Sequence, residues 1–155
     1  MQRGMQNPIL RRLEVLVGEW VIEIPAGGQI IRGRAIFEWE EEGVFLVERV
    51  EARLPESVPP EWIAQSPFPN VSVFGLDDTS ETFSMLYADA RGVFRVYQMS
   101  LDEGVWKIWR DAPGFFQRFR GTFSPDGNKI TAAWERSGDG STWVHDLDIT
   151  YTKRK

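Results

Sequence analysis

The sequence predicts an all-β protein, a closed antiparallel up-and-down barrel of about ten strands with a short N-terminal helix. Three observations carry this prediction. An apolar stripe at helical spacing occurs near the N-terminus, before residue 18. The rest of the chain reads as short alternating segments separated by Gly- and Asp-containing turns at regular intervals. Short links between successive segments make antiparallel hairpins, and a long meander leaves two open edges unless the sheet closes on itself. A flat sandwich of two sheets is the competing arrangement.

The elements follow in order. Asn7 suits a helix N-cap, Pro8 the first helical position and Gly18 the residue past the end. Between them Ile9, Leu10, Leu13, Leu16 and Val17 form the stripe, with Arg11, Arg12 and Glu14 on the polar side. The later turns include Pro25-Ala26-Gly27-Gly28, Glu40-Glu41-Glu42-Gly43, Asp89-Ala90-Arg91-Gly92, Leu101-Asp102-Glu103-Gly104, Pro125-Asp126-Gly127-Asn128 and Ser137-Gly138-Asp139-Gly140. Several are four residues ending in Gly, as a turn closing on a left-handed residue requires. Residues 55–69 carry five prolines and read as a long ordered loop of the kind that covers a binding site.

Composition bounds the function. The 155 residues suit a single domain, 1–155, with 42% hydrophobic and 26% charged residues. Seven Trp and ten Phe need a sizeable interior or an interface. A net charge of −5 argues against a nucleic-acid partner. The basic stretch Lys153-Arg154-Lys155 reads as a solvated tail. The chain has no cysteine, so disulfides, thiolate catalysis and zinc–thiolate sites drop out. Arg3, Arg11, Arg12 and Glu14 interrupt any signal-peptide core, and no apolar run is long enough to span a membrane. A cytoplasmic location is the expectation.

Four-residue loops throughout give a testable register. They place Phe37, Trp39, Leu46, Leu86, Trp106, Ile108, Phe119, Trp134, Leu147 and Ile149 on one apolar face, the expected lumen. Arg34, Glu38, Arg53, Lys107, Arg118, Arg120, Glu135, Asp146 and Asp148 then face solvent. Phe45, Phe94, Trp109 and Phe116 also fall outside, where they lie under the helix, sit in a homodimer contact or mark an error in the assumed register. The polar exceptions inside are Glu48, Arg95, Tyr97, Arg110, Gln117, Arg136, His145 and Tyr151. Buried polar groups of this kind must pair with one another, with water or with a ligand.

Gly18-Glu19-Trp20, a Gly-x-Trp just after a short helix, resembles the calycin superfamily of lipocalins and fatty-acid-binding proteins. The resemblance covers essentially the whole chain. It implies that Trp20 closes one barrel end under a basic residue of the last strand, Lys153 or Arg154. Asp89-Ala90-Arg91-Gly92-Val93, Gly114-Phe115-Phe116-Gln117-Arg118-Phe119 and Trp134-Glu135-Arg136-Ser137 look like an uncharacterised bacterial branch of these barrels, which brings no assigned activity.

The expected function is binding of a small hydrophobic molecule with an acidic group. The assumed register sets Arg95 directly opposite Arg110, and like charges so placed call for an anion between them. Tyr97 points the same way as Arg95. Such an Arg-x-Tyr pair resembles the fatty-acid-binding branch, where a similar pair holds the ligand headgroup. Trp39, Trp106, Phe119 and Trp134 would line the apolar part, with Glu48 and Gln117 beside them. Alternatively, Glu48 neutralises the arginines and the lumen is a packed core, leaving an assembly domain. No cofactor is expected on the main reading. A second resemblance, to nitrobindin, implies haem held by His145 on the last strand. Two departures weigh against it: Ala26-Gly27-Gly28-Gln29-Ile30-Ile31 replaces that family's first-hairpin stretch, and Asp146 stands where a Leu should follow the histidine. An enzyme using Glu48, Tyr97 and His145 as acid–base groups is the least supported reading, since no nucleophile elbow, phosphate loop or metal-ligand cluster accompanies them.

Overall fold

A computed structural model describes residues Asn7 to Arg154. Arg3 and Lys155, read above, lie outside the described residues. A 3₁₀ helix (Leu10–Leu16) precedes β1 (Gly18–Ala26), β2 (Gln29–Glu40) and β3 (Phe45–Arg53). A short helix α1 (Pro60–Ala64) interrupts the following loop. Then come β4 (Asn70–Leu76), β5 (Phe83–Asp89), β6 (Phe94–Asp102), β7 (Val105–Arg110), β8 (Phe116–Phe123), β9 (Lys129–Ser137) and β10 (Val144–Lys153). Each strand pairs antiparallel with its neighbours in sequence, and β1 pairs with β10 to close the barrel.

The N-terminal helix shows why its sequence works. Leu10, Leu13 and Leu16 are spaced by three, and a 3₁₀ helix superimposes residues at that spacing on one edge. All three are buried, while Ile9 and Val17 are only half-buried against the same core. The helix begins two residues later than expected, with Ile9 at the N-cap and no side-chain cap bond, so Asn7 and Pro8 precede it and Asn7 Oδ1 accepts the Ile9 N–H at 2.9 Å in the turn that leads in.

This helix closes one end of the barrel. Trp20 is fully buried there and its Nε1–H donates to the Leu16 carbonyl at 2.8 Å. Trp39 Nε1–H donates to Glu14 Oε1 at 3.0 Å, tying the second strand to the helix. Lys153 Nζ sits 5.3 Å from the centre of the Trp20 ring, so Lys153 takes the capping place expected of Lys153 or Arg154. Arg154 bonds instead to Glu19, backbone to backbone at 2.9 Å and side chain to side chain at 3.3 Å. Above this floor Phe37, Phe74, Trp106 and Phe119 meet edge-on or stacked and fill the lower lumen.

The observed register corrects the assumed one at identifiable places. Between β2 and β3 the pairing is Trp39↔Leu46 and Phe37↔Glu48, displaced by two residues from the expected frame. A shift of two keeps every side chain on its face, because the pleat repeats every two residues. The same holds between β6 and β7, where the left-handed pair Glu103-Gly104 makes a tight turn and Asp102 pairs with Val105. Between β5 and β6, residues 89–93 form the link and Ala88 pairs with Phe94, one residue off. An odd shift turns β5 over. Leu86, expected in the lumen, is exposed, and Met85 and Tyr87 point inward instead.

Candidate functional site

The end opposite the N-terminal helix is open. A cavity of about 300 Å³ enters the barrel there. Its position follows from the strand directions. Lumen residues near the ends of β1, β3, β5 and β9 and the starts of β4, β6, β8 and β10 all reach this mouth. Part of the Pro-rich loop overhangs it, with Pro67 and Phe68 in the wall. The loop is anchored on the first hairpin. Ser57 Oγ donates to Gln29 Oε1 at 2.7 Å, and the Trp62 ring packs so closely on Gly27 that a Cβ there would come within 2.8 Å of it. The expected ordered loop thus lies over the mouth of this cavity.

Seven of the nine residues expected at the site line this cavity: Glu48, Arg95, Tyr97, Trp106, Gln117, Phe119 and Trp134. Trp39 does not. It belongs to the closed end, because β2 carries it past the barrel midpoint to Glu14. Arg110 is also absent from the lining. It pairs with Gln117 across β8, and its Nη1–H donates to the Phe115 carbonyl at 3.1 Å. Arg95 pairs with Tyr87, not Arg110, since the tight β6–β7 turn slides the two strands past the expected frame. The expected face-to-face arginine pair is therefore corrected.

His145 is corrected as well. A β-bulge between His145 and Leu147 inserts Asp146 as an extra residue, which flips the start of β10. His145 then pairs with Glu135 on the outer face, is 56% exposed, and holds Asp148 Oδ1 at 2.9 Å through Nε2. Asp146, expected outside, contributes to the cavity lining and ion-pairs with Arg136 at 3.6 Å. Arg136, expected inside, is exposed.

The charges around the mouth are unequally matched. The buried Asp89 carboxylate accepts the Arg91 guanidinium at 2.7 Å and the Tyr87 hydroxyl at 2.7 Å, and it also caps the Arg91 backbone N–H at 2.8 Å. Burial alone would raise the Asp89 pKa, but these hydrogen bonds outweigh it and hold the acid at about 2. Tyr87 is pushed up by burial and by the neighbouring carboxylate. This Tyr87–Asp89–Arg91 network escaped the sequence reading, which took Asp89 and Arg91 as turn residues within a family-like string and gave them no part in the site. Asp at a turn start with Arg two residues later is the signal that marks it. Arg95 differs: its guanidinium lies 5.0 Å from the Phe115 ring centre, and no carboxylate among the described residues pairs with it. Tyr97 Oη donates to Gln117 Oε1 at 2.7 Å. Burial raises the Tyr97 pKa, and Arg95 and Arg110 partly offset that rise.

Deeper in the lumen sits Glu48. It is 6% exposed, lines the cavity, and ion-pairs with no arginine among the described residues, so the alternative in which it neutralises the arginines does not hold. Desolvation raises its pKa to about 8. Ser72 pairs with it across β4, and the buried Tyr151 is close enough for its phenol to be raised further by the Glu48 charge.

No protein-family model matches the chain, and no curated protein matches it. No helix among the described residues is long and apolar enough to cross a membrane. Among solved structures, the crystal structure of Rv2717c from M. tuberculosis superposes with a TM-score of 0.59 over 96% of this chain and 99% of that one, at 13% identity. The likeness is one of fold, and it fits the calycin-like barrel that Gly18-Glu19-Trp20 implies.

Proposed function

We propose that this protein binds a small, largely apolar carboxylic acid in the open half of its barrel, with the acid group held by Arg95. The observation that carries this reading is the asymmetry of the mouth. Arg91 and Asp146 each have an opposite charge in contact, whereas Arg95 stands over an aromatic cavity without one. A guanidinium offers two parallel donors to a carboxylate, and Tyr97, held by Gln117, lies on the same face. The apolar part of the ligand packs on Phe119, Trp134 and Ile108. The test is calorimetric titration of decanoic acid into the wild type and Arg95→Met. The expected result is saturable binding of one acid per chain, weakened about tenfold or more by the substitution. Equal affinity for the two proteins would sink the assignment of Arg95.

A second reading concerns assembly and is compatible with the first. Val71, Leu86, Phe94 and Val96 are exposed on the outer face of β4–β6, with Leu86 and Val96 directly paired. Such a patch supports self-association through this face. Solution scattering on wild type and Phe94→Glu tests it: a dimer in the first that dissociates in the second is expected, and a wild-type monomer would remove this reading.

A further inference from the structure

The polar groups at the bottom of the cavity have no role in holding an acid at the mouth, and the fold leaves them unmatched. Glu48 is buried, and no side chain among the described residues hydrogen-bonds or ion-pairs with it. Ser72 is its direct neighbour across β4 and is also buried. On a pleated sheet these two side chains point into the lumen about 5 Å apart. Tyr151 reaches the same region from β10, and its hydroxyl likewise has no hydrogen-bond partner among the described residues. Trp106 lies beside Tyr151 with ring centres 5.8 Å apart, and its Nε1–H is a buried donor without an acceptor. Glu48, Ser72 and Tyr151 border the cavity, and polar groups so placed, with no protein partner, are satisfied by whatever fills it, so their convergence marks a place where another molecule supplies the partners.

We infer that the floor formed by Glu48, Ser72 and Tyr151 recognises a second, neutral oxygen on the ligand, a hydroxyl or carbonyl at the end remote from its acid group. The inference rests on the reading that Arg95 takes the acid. The chemistry of the floor favours an uncharged oxygen over a cation. With a pKa of about 8, Glu48 is a neutral acid at neutral pH, so it donates one hydrogen bond and accepts another. Tyr151, raised far above its ordinary range by burial, stays a neutral donor. A bare hydrocarbon end would leave all of these groups unpaired, and a site of buried hydrogen-bonding groups discriminates strongly against a ligand lacking the matching atom. The ligand is thus doubly functional, with one end anionic at the mouth and the other oxygenated at depth.

The test compares decanoic acid with its ω-hydroxy and ω-amino analogues by calorimetry at neutral pH, in wild type, Glu48→Gln and Glu48→Leu. The wild type is expected to bind the ω-hydroxy acid about tenfold more tightly than decanoic acid. Glu48→Gln, which keeps the shape and a neutral donor, should retain that preference, and Glu48→Leu should abolish it. Equal binding of decanoic acid and its ω-hydroxy analogue by wild type overturns the inference while leaving the Arg95 reading intact. A preference for the ω-amino acid, lost in Glu48→Gln, also overturns it by showing that the floor takes a cation. Failure of every acid to bind overturns the Arg95 reading, and the inference falls with it. The wild-type comparison decides the matter without any variant, so poor folding of Glu48→Leu would not blunt it.

Discussion

The two ends of the barrel treat polar atoms in opposite ways. At the closed end the two indoles that meet the helix each find an acceptor: Trp20 bonds the Leu16 carbonyl and Trp39 bonds Glu14. Lys153 covers the Trp20 ring, and Phe123 meets that ring edge-on. Toward the open end the cavity borders the Glu48 carboxyl and the Tyr151 phenol, which no described side chain hydrogen-bonds, and the indole N–H of Trp106 is enclosed beneath them without an acceptor; at the mouth Arg95 stands without a carboxylate among the described residues. The first end has the packing and complete hydrogen bonding of a stable core. The second carries unmatched groups of the kind that natural proteins concentrate where they bind something. On the proposed function, stability and recognition are divided between the two ends of one sheet.

Titration sharpens this contrast most. The folded protein holds the Glu48 proton more tightly than the unfolded chain does, since burial lifts its pKa from 4.5 to about 8. The resulting stabilisation is complete below 4.5 and is lost as pH rises through about 8. The full displacement corresponds to ~5 kcal/mol as an upper figure. Urea unfolding of wild type should therefore show stability falling across that window, relative to Glu48→Gln, by several kcal/mol. Parallel pH profiles for the two proteins would contradict it. Trp20→Ala breaks the other end. Deleting a fully buried indole and its hydrogen bond should cost about 4 kcal/mol in thermal or urea unfolding. If the folded variant is measured well below its melting point, decanoic acid affinity should stay close to wild type. A loss of binding equal to that of Arg95→Met would mean the two ends are coupled. The smallest effect belongs to Lys153→Met, which removes a half-exposed cation from the Trp20 ring and should cost about 0.5 kcal/mol of stability with no change in binding.

The sequence conveys the architecture because each of its signals is local. The three leucines spaced by three make the helix, and Gly27-Gly28 and Glu103-Gly104 supply the left-handed turn residues that let adjacent strands double back. The lumen face of β2, β3, β6, β7 and β8 was legible even though several registers were displaced, since displacements of two leave the face unchanged. What escaped are the odd steps. The link at 89–93 turns β5 over, so Leu86 faces out and Tyr87 joins the mouth. The bulge at Asp146 turns the start of β10 over, so His145 reaches solvent while Asp146 enters the lining. Both odd steps depend on how hydrogen bonds close across neighbouring strands, and periodicity within one strand carries no trace of that. Glu48 was nominated correctly as an inward polar residue, but its lack of a partner is a property of three other strands and emerges only with the barrel closed.

The central claim is that the open end is a ligand site governed by Arg95. Native mass spectrometry of the purified protein with decanoic acid tests it most directly, with the denatured mass as reference and Arg95→Met alongside. The account predicts one acid per chain on the wild type, lost on denaturation and markedly less populated in Arg95→Met. A bare polypeptide mass for the wild type at saturating acid, or equal occupancy in the two proteins, would contradict it.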